Sequence, residues 1–247
     1  MDKFAYLAMN GAKQAMLAQQ ANANNLANVS TTGFKATLDH FQSKPVYGPG
    51  NPDRVYTLDR EDGANFSHGA VMSTGRDLDL TINGDGWFSV QAPDGGVAYS
   101  RRGDFRTDST GLLLNGANQI VLGDGGPITI PQYESLVIGR DGTISIRATG
   151  QSANTLVAVD RLRLVNPPLD TMIRGEDGLF RTMDGLELPA DAAVAVTGGA
   201  LEGSNVNAVD AMVRMMDYAR QYETQVKLMK LASDNDAASA QLMRMNG

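Results

Sequence analysis

The 247-residue chain contains no cysteine, so disulfide bonds, thiolate metal sites and cysteine nucleophiles are excluded. It also has no apolar run of about 18 residues, the length that predicts a membrane-spanning helix. The first residues lack the basic cluster and the apolar core of a secretory signal, so we expect no cleaved signal peptide. No basic stripe that could neutralise phosphates is visible, which argues against a nucleic-acid partner.

The net charge of −7 is unevenly distributed along the chain. Residues 1–30 carry +1, residues 206–247 carry no net charge, and the middle therefore carries −8. The two ends lack the repulsion that would oppose self-association, whereas the acidic middle favours solubility.

Patterns that would indicate chemistry are scarce. The only histidines, His40 and His68, lie in unrelated contexts and predict no metal site. The glycine clusters lack the Lys-Ser/Thr of a phosphate-binding loop, and no Gly-x-Ser-x-Gly nucleophile elbow is present. Asp77 and Asp79 could hold two carboxylates at a glycosidase-like separation, but a solvated strand face that discourages edge pairing is the stronger interpretation. We predict no enzymatic activity, catalytic residue, metal or cofactor.

Proline is absent from both ends of the chain, and glycine is rare there. All nine prolines lie between Pro45 and Pro189, and only Gly11 and Gly247 fall outside the span from Gly33 to Gly203. Both residue types oppose helices. The ends are therefore predicted to be helical and the middle is not.

The C-terminal stretch carries apolar residues at alternating steps of four and three. Nine of eleven such positions are apolar, which predicts a heptad seam over about five repeats. Asn207, with Asp210 three residues on, is the predicted cap of this helix. The seam positions are Ala208, Met212, Met215, Ala219, Tyr222, Val226, Met229, Ser233, Asp236, Ala240 and Met243.

A weaker seam follows the N-terminal stretch and is made mostly of alanine. Alanine buries much less apolar area than leucine, so we expect this helix to need partners. A single intramolecular helix pair, packed on the middle of the chain, is the alternative. The seam positions are Ala5, Ala8, Ala12, Ala15, Gln19, Asn22, Leu26 and Val29.

Between the helices the apolar period becomes two. Asp77–Ile82 alternates strictly, with Leu78, Leu80 and Ile82 on one face. Strands are also predicted in Thr155–Val165 and Ala192–Val196. Hairpin turns are predicted at Asn83-Gly84, Asp94-Gly95, Asn115-Gly116, Asp124-Gly125 and Asp141-Gly142. Together they predict an antiparallel β domain, a sandwich or a partly closed barrel.

The fold class predicted is therefore α+β: the N- and C-terminal α-helices form a coiled-coil-like helical domain, and an antiparallel β-rich domain, a sandwich or a partly closed barrel, intervenes between them in the sequence. The expected boundaries are 1–35 for the first helix and its turn, 36–68 for an extended linker or long hairpin, 69–196 for the β-rich domain, and 197–247 for the connection and last helix. The helical domain is discontinuous, since it joins 1–35 with 197–247.

Several ordered motifs resemble those of the bacterial flagellar rod and hook proteins. The N-terminal signature is Asn24-Asn25-Leu26-Ala27-Asn28-Val29-Ser30-Thr31-Thr32-Gly33-Phe34-Lys35. The β-domain motifs are Gly75–Leu80, Gly84–Phe88 and Tyr99–Phe105. Leu201–Val206 resembles the entry to the family's C-terminal helix. The start of the chain and the segment Arg161–Pro168 are most similar to the proximal-rod type, with the distal-rod type as the main alternative.

The resemblance implies a structural subunit of the axial rod in the flagellar basal body. Such subunits are exported through the flagellar type III apparatus without a cleaved signal. They assemble in the periplasmic space, with themselves and adjoining rod proteins, into a helical tube that transmits torque and passes exported proteins. The terminal helices line the inside of that tube, and no direct membrane insertion is implied.

The resemblance also gives a hypothesis for the asparagines of the signature. Their amides both donate and accept hydrogen bonds, which suits them to joining helix ends across subunits, and a local cap is the alternative. Gly33 is expected to stop the helix with a left-handed backbone, and Phe34 to anchor the outgoing chain on a C-terminal helix. The predicted subunit interface comprises Asn24, Asn25, Leu26, Asn28, Gly33, Phe34, Ser204, Asn205, Met212, Met215, Ala219, Tyr222, Val226 and Met229.

Two other classes of function remain as alternatives. One is a cell-wall hydrolase that uses Asp77 and Asp79, which is the weaker alternative. The other is a secreted β-rich binding module with a coiled-coil stalk. A stalk would give a closed oligomer in solution, whereas a rod subunit would stay monomeric until adjoining rod proteins nucleate its assembly.

Overall fold

A computed structural model of the chain describes residues 3–45, 55–150 and 155–245. The chain divides into two compact units. The helical unit comprises Met1–Ala27, Thr37–Gly63 and Asn207–Gly247. The β unit comprises Asn28–Ala36 and Ala64–Val206.

The helical unit contains two long helices, α1 (Lys3–Ala27) and α2 (Ala208–Met245). The side-chain oxygen of Asn207 accepts hydrogen bonds from the backbone N–H groups of Val209 (3.0 Å) and Asp210 (3.3 Å), so the predicted cap is confirmed. The helices run antiparallel, because Asn22 contacts the start of α2 whereas Gly11 faces Gln225, further along it.

The seam between the helices is made largely of alanine. Ala8, Ala12, Ala15 and Ala18 of α1 are at most 5% exposed, as are Ala211 and Ala232 of α2. Gly11 belongs to this close packing, because a Cβ atom there would lie 2.8 Å from the side-chain Cδ of Gln225. The amide of buried Asn22 donates to the carbonyl oxygen of Ala211 at 2.7 Å. Close approach of the two backbones therefore replaces large buried side chains.

A long hairpin completes the helical unit. It consists of β1 (Thr37–Pro45) and β2 (Val55–Ala64), which pair only with each other among the described residues. An isolated two-stranded hairpin is marginally stable in water, and this one has α1 as a neighbour of β1.

The β unit contains sixteen described strands and one short 3-10 turn, Leu169–Thr171. The strands are β3 (Val71–Ser73), β4 (Leu80–Asn83), β5 (Trp87–Gln91), β6 (Val97–Ser100), β7 (Arg106–Thr107), β8 (Leu113–Leu114), β9 (Ile120–Gly123), β10 (Gly126–Pro127), β11 (Tyr133–Ile138), β12 (Thr143–Ala148), β13 (Val157–Arg161), β14 (Leu164–Val165), β15 (Met172–Arg174), β16 (Phe180–Thr182), β17 (Ala195–Gly198) and β18 (Ala200–Glu202).

The pairings described between these strands are antiparallel. The largest sheet has the order β15-β16-β6-β5-β9-β8-β7, with β10 beside β9 and β14 beside β5. Three smaller sheets are β11-β12-β13, β17-β4 and β18-β3. The predicted α+β class is confirmed, and no sheet in the described part of the chain closes into a barrel.

Large side chains fill the main core of the β unit. It includes Leu80, Phe88, Phe105, Leu113 and Ile144, each at most 1% exposed. A second cluster surrounds Trp87, whose ring lies 4.7 Å from that of Phe180, measured between ring centroids. Such side chains each contribute roughly 1.5–3 kcal/mol on burial, so the β unit has a core of its own.

Four of the five predicted hairpin turns connect strands that pair with each other, at Asp94-Gly95, Asn115-Gly116, Asp124-Gly125 and Asp141-Gly142. The hairpin predicted at Asn83-Gly84 is wrong, because β4 pairs with β17 whereas β5 pairs with β6. The guanidinium of Arg101 binds the carbonyl oxygens of Gly84 (2.9 Å) and Gly86 (2.6 Å), which lead the chain from one sheet to the other.

The predicted alternation of Asp77–Ile82 also needs correction. Leu80, Thr81 and Ile82 are all buried, and so is Asp79. Both faces of this strand are therefore covered, which a period of two cannot show.

Candidate assembly site

The first two turns of α2 carry a second apolar face, separate from the seam with α1. Val209, Met212, Val213 and Met216 are 46–72% exposed and have the i, i+3, i+4, i+7 spacing of one helix face. At about 100° per residue this stripe lies about 150° around the helix from buried Ala211. An exposed apolar face of this kind is a candidate surface for contact with another protein.

On α1, Met9 (54% exposed) and Met16 (62% exposed) also project away from the seam. They lie about 100° around the helix from the buried alanines, at about 100° per residue. The helix thus buries alanine on one side and exposes large apolar side chains on another. We name the four α2 residues and these two methionines the outer stripes.

The structure distributes the predicted α2 interface residues between two faces. Met212, Tyr222 and Val226 are 40–54% exposed, whereas Met215, Ala219 and Met229 are partly buried. Three of these six predicted residues therefore point away from α1. The seam takes Ala211 and Ala232, each one residue earlier than a predicted position.

Some asparagines of the N-terminal signature form bonds within the chain. The amide of Asn25 binds the main chain of Thr37 twice, donating to its carbonyl oxygen (2.9 Å) and accepting from its N–H (2.8 Å). The side-chain oxygen of Asn28 accepts from the hydroxyl of Thr31 at 3.1 Å. Asn24 is exposed and Leu26 is partly buried.

The prediction that Gly33 stops the first helix is wrong, because α1 already ends at Ala27. The backbone of Gly33 is left-handed, with φ at +64°, as expected of a turn glycine. Its N–H donates to the carbonyl oxygen of Glu202 at 2.7 Å. A Cβ atom on Gly33 would lie 2.4 Å from the carbonyl carbon of Arg101. The absence of a side chain at Gly33 therefore permits close packing of two chain segments within the β unit.

A buried ion cluster, formed by Lys35, Arg101 and Glu202, lies next to Gly33. The Nζ atom of Lys35 is 2.7 Å from one carboxylate oxygen of Glu202, and the guanidinium of Arg101 is 2.7 Å from the other. All three residues are at most 4% exposed. The cluster links segments that are 101 and 167 residues from Glu202 in sequence.

The two charges on either side hold Glu202 ionised. Burial alone would raise the pKa of Glu202, but the charge of Arg101 and hydrogen bonds from Lys35 and the Gly69 N–H outweigh it, so the pKa lies below its ordinary value. Burial lowers the pKa of the Lys35 ammonium, with Glu202 acting in the opposite direction. The carboxylate is thus the central charge of the cluster.

Residues of the N-terminal signature and of the Leu201–Val206 motif lie close together around this cluster. The ring of Phe34 lies beneath the guanidinium of Arg174, with 4.7 Å from Cζ to the ring centroid. The backbone N–H of Asn205 donates to the carbonyl oxygen of Phe34 at 3.2 Å, and its side-chain oxygen accepts from the N–H of Ala36 at 2.7 Å. The hydroxyl of Ser204 accepts from the N–H of Val206. Hydrogen bonds therefore join the chain segments around Phe34 and Asn205 within the β unit.

His68, one of the two histidines, lies at the margin of the cluster. Its Nδ1 atom is 3.0 Å from a guanidinium nitrogen of Arg101, and its Nε2 atom is 3.4 Å from a carboxylate oxygen of Asp85. The ring is 48% exposed. The other histidine, His40, has a side chain outside the described residues.

Asp77 and Asp79, the two carboxylates of the alternative hydrolase hypothesis, have different surroundings. Asp77 is exposed, whereas Asp79 is 4% exposed and lies 3.2 Å from the Nε atom of Arg76. The main-chain carbonyl of Asp79 accepts from the N–H groups of Gly199 and Ala200. Asp79 is thus an ion-paired residue of the β-unit interior.

The ion cluster and the complete outer stripes are not predicted by any pattern in the sequence described above. Lys35, Arg101 and Glu202 lie within the family motifs, but no local pattern joins residues so distant in sequence. Val209, Val213 and Met216 could have been found, because they repeat at helical spacing beside the predicted seam.

Three protein-family models match the chain. The model described as "Flagella basal body rod protein" matches residues 6–35. "Flagellar hook protein FlgE/F/G D1 domain" matches residues 81–146, and "Flagellar basal body rod FlgEFG protein C-terminal" matches residues 197–242. The three matches follow one another in the order helix, β region, helix.

Similar proteins cover the chain along its length. It is 39% identical to the flagellar basal-body rod protein FlgF of Escherichia coli (strain K12) and 38% identical to that of Salmonella typhimurium, each over 100% of both chains. It is 30% identical to the rod protein FlgG of Bacillus subtilis (strain 168), over 93% of this chain and 94% of the relative. No helix in the described ranges combines the length and apolarity needed to cross a membrane.

Proposed function

Since this chain belongs to the FlgF-type flagellar basal-body rod proteins and is a structural subunit of that rod, we propose that it lies in the proximal rod and assembles through the outer stripes of its terminal helices. The greater similarity to FlgF than to FlgG supports the proximal position. The flagellar export apparatus would deliver the chain, and its role would be structural without catalysis.

The observation that carries this proposal is the apolar stripe on α2. Val209, Met212, Val213 and Met216 face away from α1, and an exposed apolar face of this length would be costly to leave in water. Rod subunits repeat one heterologous contact, so each needs a surface for its neighbour besides the surface that completes its own fold. The seam with α1 completes the fold, and the outer stripe serves the neighbour.

The predicted interface residues fit this proposal in part. Met212, Tyr222 and Val226 are exposed and available to an adjoining subunit. Met215, Ala219 and Met229 would stabilise α2 through packing on its partly buried side. Exposed Asn24 would form hydrogen bonds with an adjoining subunit. The other predicted residues would act indirectly, because their bonds and contacts hold in place the chain segments that adjoin the two helices. These residues are Asn25, Asn28, Gly33, Phe34, Ser204 and Asn205.

The test is a charge placed on the α2 stripe. We expect the double variant Met212→Lys, Met216→Lys to be lost from isolated basal bodies, because two ammonium groups would be buried at each subunit contact. The matched control is Gln221→Lys, an exposed position of the same helix outside the stripe. Incorporation is measured as the amount of the chain in purified basal bodies, relative to its total in the cells.

Fluorescence of Trp87, the single tryptophan, verifies that each variant retains its β unit. Loss of the double variant together with normal incorporation of Gln221→Lys supports the proposal. Normal incorporation of the double variant would contradict the role of the outer stripe.

A further inference from the structure

Methionine supplies the only oxidisable sulfur in this chain, which has twelve methionines and no cysteine. Methionine thioethers are converted to sulfoxides by peroxides, and accessible side chains react first. The exposure of each methionine therefore decides where an oxidant acts.

Among the described methionines, six are more than half exposed, and four of these lie on the outer stripes. Met9, Met16, Met212 and Met216 are 54–62% exposed. Two others, Met72 and Met183, have comparable exposure of 52% and 64% but lie in the β unit. Met172 is 4% exposed, within a cluster that also contains Trp87. The chain thus provides exposure-matched and buried comparisons.

Oxidation changes the property that the outer stripes need. A peroxide transfers one oxygen atom to the thioether sulfur, which loses two electrons, while the peroxide O–O bond breaks and water (or an alcohol) leaves. The product is a polar, chiral sulfoxide in place of a flexible apolar side chain. Met212 and Met216 lie on adjacent helical turns, so two sulfoxides would interrupt the apolar stripe where Val209 and Val213 flank it.

We propose that Met9, Met16, Met212 and Met216 are sites of reversible oxidation by peroxides, and that sulfoxides at these positions stop a free subunit from joining the rod. The inference rests on the proposed function, since it assigns a regulatory chemistry to the same outer stripes. Assembly would protect these sulfurs, so oxidation would act on the chain before incorporation and leave completed rods intact.

The first test uses the purified full chain and hydrogen peroxide. Peptide mass spectrometry over time should show the four stripe methionines oxidised about tenfold faster than Met172, at rates similar to Met72 and Met183. A methionine sulfoxide reductase pair should return all exposed positions to the reduced form. Oxidation of the four no faster than Met172 would overturn the site assignment.

The second test asks whether this oxidation controls assembly. Cells that produce the wild-type chain, or the variant Met9→Leu, Met16→Leu, Met212→Leu, Met216→Leu, receive a sublethal pulse of hydrogen peroxide while new rods form. Leucine keeps the stripes apolar but cannot be oxidised. We expect incorporation of new wild-type chain to fall at least several-fold, and the leucine variant to be unaffected.

The outcomes separate this inference from the proposed function. A matched variant, Met72→Leu, Met183→Leu, should remain as sensitive as the wild type. Equal sensitivity of the wild type and the four-leucine variant would overturn the oxidation control while leaving the rod assignment intact. If Met212→Lys, Met216→Lys incorporates normally without peroxide, the proposed docking surface itself fails.

Discussion

The helical unit and the β unit bury very different side chains. The β unit encloses Phe88, Phe105 and Trp87, together with the ion cluster around Glu202. The seam of the helical unit is made mainly of alanine, while its methionines and valines face outwards. A unit with a large core can fold alone, whereas helices that expose their largest apolar residues gain more from neighbours.

The difference in buried side chains implies different roles for the two units of one rod subunit. The β unit would remain folded before and after assembly, and the helical unit would gain stability when other subunits cover its outer stripes. Two signals separate the units experimentally. Trp87 fluorescence reports the β unit, and circular dichroism at 222 nm reports mainly the two helices.

The largest expected effect is on the β unit, from Glu202→Gln. Without the carboxylate, the charges of Lys35 and Arg101 remain buried without their counter-ion, which costs about 3–5 kcal/mol. For a unit of this size the Trp87 thermal transition should fall by about 6–20 °C.

The control is Glu187→Gln, which removes an exposed ion pair in the same unit. Glu187 lies 3.2 Å from Arg163, and its side chain is 58% exposed. Its loss should cost less than about 1 kcal/mol. Similar shifts for the two variants would show that the buried ion cluster contributes no more than a surface pair.

Acidification should weaken the β unit through the same carboxylate. The folded-state pKa of Glu202 lies below its ordinary value of 4.5, so the folded chain binds this proton more weakly than the unfolded chain. The stability contributed is therefore complete above the ordinary pKa and is lost as pH falls through the lowered one.

The measurement is the urea midpoint of Trp87 fluorescence between about pH 3 and pH 7. The wild type should lose stability over the acid range, and Glu202→Gln should show a flatter profile. Asp177→Asn is the comparison, since the Arg181 hydrogen bond lowers the pKa of Asp177 at the surface. If Glu202→Gln retains the wild-type acid slope, other carboxyl groups are responsible for it.

A smaller effect is expected from Gly33→Ala, which tests the contact between Gly33 and Arg101. The left-handed backbone alone costs a non-glycine residue about 1–2 kcal/mol, and the new Cβ atom also meets the Arg101 main chain. Gly75→Ala isolates the first of these two costs, because Gly75 has φ of +70° and a Cβ atom there would have no neighbour within 4 Å. Gly33→Ala should therefore lower the Trp87 melting temperature more than Gly75→Ala, and equal shifts would mean that the Arg101 main chain moves aside.

Sequence patterns predicted the elements of both units but not the faces they use. The absence of proline at the ends predicted α1 and α2, and Asp-Gly or Asn-Gly pairs predicted four hairpins, because these signals act through the local backbone. The predicted α2 seam includes Met212 and Val226, which are exposed, because large apolar residues are typical of a core. It omits the buried residues Ala211 and Ala232, because alanine is not. Side-chain size misleads where close backbone packing needs alanine.

The ion cluster could not be predicted for a different reason. A lysine that follows Gly33-Phe34 is ordinarily exposed, and nothing near it in sequence indicates Glu202 or Arg101 as partners. Only the fold brings the three together. Likewise the bonds between Asn25 and the Thr37 main chain could not be predicted, because the position of Thr37 depends on the course of the hairpin.

The smallest effect concerns the helical unit and distinguishes it from the β unit. Asn207→Ala removes the cap that accepts from the N–H groups of Val209 and Asp210, at a cost of about 1 kcal/mol. Asn207→Asp keeps an acceptor at this position and serves as the control. The alanine variant should lose the 222-nm signal at lower urea while the Trp87 transition stays unchanged. If both signals shift together, the two units unfold as one, and the helices depend less on assembly than their alanine seam implies.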